Sequence, residues 1–166
     1  MSITLSELLQ SRDNRQAKQR AMFDKHRKTV LSLTLVMPGS EKRNALTLRL
    51  SPKAVALIRN CFGDSIVEEA EYDLETGFEA LYAVDLVLHE AKRKACEIED
   101  SHPLGRLLDI DVIGADGEPF SREELGLPAR KCLLCNENAR VCMRNRTHDT
   151  NEIIAEISRI MSEYGA

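Results

Sequence analysis

The chain has 166 residues, 43% of them hydrophobic and 30% charged, with a formal net charge of −4. That is one domain with enough apolar sequence for a core. No apolar run approaches the roughly 20 residues of a membrane span, and with no Trp and few other aromatics there is little to stack nucleic-acid bases. Met1-Ser2-Ile3-Thr4-Leu5 lacks the basic and long apolar regions of a signal peptide. A cytoplasmic protein with reduced cysteines and neither membrane nor nucleic-acid partners is therefore expected.

Thr4-Leu5-Ser6-Glu7 has the form of a capping box and predicts a helix over about 5–25 whose apolar content fades after Leu9. Val30 to Val36 is apolar and β-rich, and Pro38-Gly39 ends it, so a strand and turn are read there. Pro52 to Phe62, beginning as early as Asn44, places Val55, Ile58 and Phe62 at core spacing, with Gly63 as a stop. Strands over 65–74 and 78–84 follow, joined by Glu75-Thr76-Gly77. From Asp85 as N-cap, a helix is read to about Asp100, with Val84, Leu88, Ala91, Ala95 and Ile98 as its apolar stripe. A strand around Asp109 and Asp111, an Asp116-Gly117 turn and a short return through Phe120 come next. Asp149 with Glu152 marks a second capping box, opening a helix whose buried face is Ile153, Ile157, Ile160 and Met161. The order is a helix followed by β-α-β-β-α-β, which predicts an α+β fold: a mostly antiparallel sheet with helices on one face.

Charge is segregated along the chain. Residues 12–28 carry seven Lys/Arg against two acids, 64–100 twelve acids against three bases, and 128–148 five Lys/Arg against one acid. Such blocks are either solvated faces or parts of a device that holds a polyanion.

Three constellations carry chemistry. In His102-Pro103-Leu104-Gly105-Arg106-Leu107-Leu108-Asp109-Ile110-Asp111-Val112, strand alternation puts both aspartates on one face and Leu108, Ile110 and Val112 on the other. That pair is either a solvated edge or a site for a cation or shared proton. His102 beside it is a candidate base or phosphate donor. Cys132-Leu133-Leu134-Cys135, with Cys142 and His148, offers the thiolates and imidazole that tetrahedral Zn²⁺ prefers. The competing reading is a set of reduced, buried cysteines. Arg12, Arg15 and Gln19 share one helix face, either as a polyphosphate clamp or as a solvated stripe. Arg106, Arg130, Lys131, Arg144 and Arg146 are further phosphate candidates. His26 and His89 have no such context, and Cys61 and Cys96 read as core. No GxSxG, HExxH, Walker A or GxGxxG pattern occurs, which removes those hydrolases, P-loop ATPases and Rossmann dehydrogenases.

Leu8-Leu9-Gln10-Ser11-Arg12-Asp13-Asn14-Arg15, the His102–Val112 run, Ser121-Arg122 and Leu127-Pro128-Ala129-Arg130-Lys131-Cys132 through Cys135, with Cys142 and His148, together resemble the apo-citrate lyase phosphoribosyl-dephospho-CoA transferases, or holo-citrate lyase synthases. The resemblance implies nucleotidyltransferase-like chemistry. A serine of the apo-acyl carrier (gamma) subunit of citrate lyase would attack 2′-(5″-triphosphoribosyl)-3′-dephospho-CoA and release pyrophosphate. Asp109 and Asp111 would then hold Mg²⁺, Arg106, Arg12 and Arg15 would neutralise phosphates, and His102 or one aspartate would take the serine proton. The basic 128–148 segment would grip the donor or the carrier. Gly105 stands four residues before Asp109, closer than the glycine loop of the wider nucleotidyltransferase superfamily, and no motif marks a third carboxylate. The alternatives are a non-catalytic zinc-containing module for RNA or an acidic protein, and the malonate decarboxylase counterpart of the same transferase.

Overall fold

A computed structural model describes residues 3–165; Met1 and Ser2, read above with the N-terminal stretch, lie outside it. The elements run α1 (Leu5–His26), β1 (Thr29–Leu35), α2 (Ala45–Phe62), β2 (Ile66–Leu74), β3 (Gly77–Val84), α3 (Leu88–Ser101), β4 (Leu108–Ile113), α4 (Ala139–Asn145) and α5 (Thr150–Glu163). The strands form one antiparallel sheet in the order β2-β3-β1-β4. None of the described helices is long and apolar enough to cross a membrane.

Alternation in β1 divides the sheet into two unlike faces. Leu31 and Leu33 point with Tyr82, Ile110 and Val112 into the main core, closed by Leu50, Val55 and Ile58 of α2, Ala91, Ala95 and Ile98 of α3, and Ile157 and Met161 of α5. Val30, Leu81, Ala83 and Ile113 point the other way, against Met22 of α1. Helices therefore cover both faces, where the sequence reading placed them on one. α1 is mostly polar, and Gln19 and Met22 are its buried residues. It packs on a face that is itself half polar, so no long apolar stripe was needed to seat it.

Both predicted capping boxes form, Thr4 with Glu7 and Asp149 with Glu152. Asn44 and Thr47 make a third, which fixes the early start of α2. The start of α3 differs from expectation. Val87, not Asp85, precedes its first turn, because the Asp85 amide donates to Ser65 and its carboxylate pairs with Lys28.

The outer edge of β4 would expose ladder groups, and Glu99 of α3 covers it. Its carboxylate, 3% exposed as a residue, accepts the Ile110 amide at 2.9 Å and pairs with Arg122, which also binds Asp100. Phe120 adds an amide hydrogen bond to the Val112 carbonyl. The 3-10 turn Gly105–Leu107 leads into β4 directly against the end of α3. A Cβ on Gly105 would stand 1.9 Å from the Ile98 carbonyl oxygen and 2.9 Å from the Glu99 Cα. That backbone cannot swing aside as a side chain would. Gly105→Ala is expected to destabilise the protein by roughly 3 kcal/mol, read as a lower urea midpoint at unchanged slope. An unchanged midpoint would refute this close approach.

Candidate active site

Asp109 and Asp111 lie on the α1 face of β4, opposite Thr34 and Ser32 of β1. The two are not equivalent. Asp109 is exposed, whereas Asp111 is half-buried. Burial first, and the neighbouring Asp109 charge second, push the Asp111 carboxyl up to about 6, against weaker opposing fields from Lys92 and Arg15. Two carboxylates on one shielded patch repel each other, so the patch is short of positive charge. Gln19, one turn beyond Arg15 on α1, donates to Ser32 Oγ at 2.9 Å and fastens the helix beside the pair.

A cavity of about 150 Å³ adjoins this patch, lined by Ser11, Arg12, Arg15, Lys42, Thr34 and Glu79 among others. Thr34 belongs to both places, as a wall of the cavity and as the cross-strand neighbour of Asp109. Its charge problem is the reverse of the aspartates'. Burial and then the Arg12 charge lower the pKa of Lys42, so two cations crowd one small space. Arg15 is already engaged, donating to Glu79 Oε1 at 3.1 Å.

Glu79 was not singled out from the sequence. Its side chain is only 4% exposed, and it stands opposite Thr34 on β3, completing the row Glu79-Thr34-Asp109 across the sheet. Oε1 takes Arg15 and Ser11, while buried Oε2 has, among the described residues, no hydrogen-bond partner and only Lys18 at 3.7 Å. A lone acid among Phe78, Ala80 and Leu81 was the available signal.

The second constellation also assembles. One ligand atom from each of Cys132, Cys135, Cys142 and His148 falls within 4.8 Å of every other. Cys135 Sγ lies 3.5 Å from Cys142 Sγ and 3.4 Å from His148 Nε2. Those two separations are close to the edges of a tetrahedral zinc site, about 3.5–3.8 Å for metal–ligand bonds of about 2.0–2.3 Å. They are far too long for a disulfide. Burial raises the Cys132 thiol, but the Leu134 and Cys135 amides, with hydrogen bonds from the Cys142 and Cys135 side chains, together outweigh that and lower its pKa. Backbone amides thus stand ready to stabilise a thiolate.

This cluster reaches the acid pair through arginines. Arg106 donates to the carbonyl of Cys132, and Arg130 to those of Gly105 and Arg106 at 3.0 Å each. Arg130 Nη1 is also 3.9 Å from both Asp109 Oδ1 and Glu99 Oε1. Arg106 is thereby spent on the cysteine loop, whereas Arg130 faces the site. Arg12 remains exposed at the cavity mouth. His102 caps the end of α3, where its Nδ1 accepts the Leu104 amide at 3.1 Å and its ring meets Tyr164 edge-on. Burial lowers its pKa. Among the described contacts none joins it to either aspartate.

Fold and site together define an α+β protein in which one sheet face sets paired acids beside crowded bases, with a cysteine–histidine cluster in the neighbouring loop. Residues 3–164 match the family model described as apo-citrate lyase phosphoribosyl-dephospho-CoA transferase. A protein of that description from Escherichia coli O1:K1 / APEC is 35% identical, the match covering 99% of this chain and 92% of the relative. Those from Citrobacter koseri (98% and 90% covered) and Shigella boydii serotype 18 (99% and 92%) are also 35% identical. The chain belongs to the apo-citrate lyase phosphoribosyl-dephospho-CoA transferase family, and it is an enzyme, a transferase.

Proposed function

We propose that this enzyme transfers 2′-(5″-triphosphoribosyl)-3′-dephospho-CoA to a serine of the apo-acyl carrier (gamma) subunit of citrate lyase. The serine oxygen bonds the α-phosphorus, the bond from that phosphorus to the bridging oxygen of the β-phosphate breaks, and pyrophosphate departs. A phosphodiester joins carrier and prosthetic group. One observation carries the reading: an acid pair short of positive charge and a cavity of crowded cations meet at Thr34. A divalent cation with a polyphosphate relieves both at once.

Asp109 and Asp111 would hold Mg²⁺, and their mutual repulsion fits that role. When bound, the ion supplies charge stabilisation on the attacked phosphoryl group and the leaving pyrophosphate. Arg12 and Lys42 receive phosphate oxygens in the cavity. Arg15, held by Glu79, presents its remaining N–H groups from a fixed position. Arg130 bridges the carbonyls before β4 and steadies Asp109. The serine proton passes to a carboxylate of the pair. Cys132, Cys135, Cys142 and His148 would hold a structural Zn²⁺, a closed set with all four positions filled by protein. Membership of a transferase family leaves the non-catalytic binding module without support.

The test is pyrophosphate release. It should require the apo-carrier, the donor and Mg²⁺ together; release without the carrier, or none with all three, would contradict the reading. Arg12 and Arg15 separate within the same assay. Arg12→Ala should raise the donor KM about 10–100-fold, the worth of a charge-assisted hydrogen bond of roughly 1.5–3 kcal/mol, with thermal stability unchanged. Arg15→Ala should weaken donor binding and also lower the melting temperature, because it removes a partner of buried Glu79. Equal behaviour of the two would be inconsistent with the Glu79 tether.

A further inference from the structure

We infer that the outward face of α4 is the docking surface for the carrier, through an acidic, amphipathic helix of that partner; this rests on the transferase reading above. Cys142 turns inward to the cluster. Arg140 and Arg144, two residues to either side, point away from it at about 160° around the helix, and Val141 and Met143 flank them at about 100°. Val141 is 44% and Met143 74% exposed. Arg146 follows at the C-cap.

The charges here contrast with those of β2. Glu68, Glu69, Glu71 and Asp73 of β2 are all paired, with Lys25, Arg59 and Arg43. Among the described residues no carboxylate pairs with Arg140, Arg144 or Arg146. The chain answers its own acidic strand and leaves this basic helix for another molecule. A two-turn convex helix cannot enclose a nucleotide. Unpaired arginines beside an exposed methionine are instead the composition of a protein interface, with charge complementarity selecting an acidic partner.

The surface is also in the right place. The first amide of α4, from Ala139, donates to the Arg130 carbonyl at 2.9 Å, and the Arg130 guanidinium is 3.9 Å from Asp109. One residue, Arg130, thus links the start of α4 to the acid pair that the carrier's serine must reach.

The experiment varies the apo-carrier at saturating donor for the wild type, the double variant Arg140→Glu/Arg144→Glu and, as a second probe, Met143→Glu. Carrier KM should rise at least tenfold in each variant, with donor KM and kcat within twofold and melting temperature unchanged. Added salt should weaken the wild type towards the variants. An unchanged carrier KM overturns the inference. So does a rise in donor KM instead, which would give the face to phosphates, or loss of RNA binding with carrier KM intact. Calorimetric titration of the carrier onto each protein reads docking without turnover. If the wild type binds the carrier and the variants do not, yet no transfer occurs, the surface stands and the transferase reading falls.

Discussion

Replacing Asp111 by Asn is expected to abolish transfer while making the metal-free protein more stable at neutral pH. Asn keeps the shape but removes the charge that the proposed Mg²⁺ needs. Loss of such electrostatic stabilisation costs on the order of 10²–10³-fold in kcat. The stability effect has the opposite sign. Burial and the Asp109 charge raise this carboxyl from 3.8 to about 6. Between those values the folded chain holds a proton that the unfolded chain has released, so stability falls as pH rises through the window. By neutral pH the loss is nearly complete, on the order of 3 kcal/mol. The variant should therefore melt roughly 6–12 °C higher than metal-free wild type at pH 7, with the difference vanishing once pH falls below the ordinary carboxylate value of 3.8. Mg²⁺ should raise the wild-type melting temperature and leave the variant's unmoved. A variant that is less stable at pH 7, or that still responds to Mg²⁺, would remove Asp111 from the metal site.

Loss of a cysteine ligand should have a different signature. Wild-type protein is expected to carry about one zinc per chain, and Cys142→Ser to carry almost none, as measured by elemental analysis. The main core on α2, α3 and α5 contains none of the four ligands, so the sheet should survive. The segment from Lys131 to His148, pinned by the isolated bridge Lys131–Asn138 and few other backbone bonds, should lose its structure, because metal binding free energy is folding free energy in such a segment. Amide exchange should quicken across 131–148 while β1 and β3 stay protected. Transfer should drop as well, since Arg106 and Arg130 hang on this loop. Zinc-free wild type with the same protection as the metal-loaded form would contradict a structural metal.

Local chemistry in this chain was readable where a few adjacent residues decide the outcome. The Thr4/Glu7 and Asp149/Glu152 boxes, the shared face of Asp109 and Asp111, and the gathering of Cys132, Cys135, Cys142 and His148 all follow from short-range spacing. What depended on distant partners was not. The seat of α1 on the second face turns on Met22 meeting Val30, Leu81 and Ala83. Glu79 became part of the site only because β3 lies beside β1. Arg106 was read as a phosphate contact from its place before the acid pair, and its hydrogen bond to the Cys132 carbonyl 26 residues away was not legible there. Gly105 stood too close to Asp109 for the superfamily's glycine loop, and its packing reason, the Ile98 carbonyl, lies on another element. A seven-residue helix inside the basic 128–148 segment was hidden too, being shorter than any periodic pattern can reveal.

The most direct test of the central claim, that the acid pair and the cation cavity form one metal–polyphosphate site for carrier modification, is the intact mass of purified apo-carrier incubated with this enzyme, donor and Mg²⁺. A single addition equal to the donor less pyrophosphate is expected, mapped by fragmentation to one serine and absent when Mg²⁺ is chelated. A carrier that stays unmodified here, yet is modified by one of the enzyme's relatives, would contradict it.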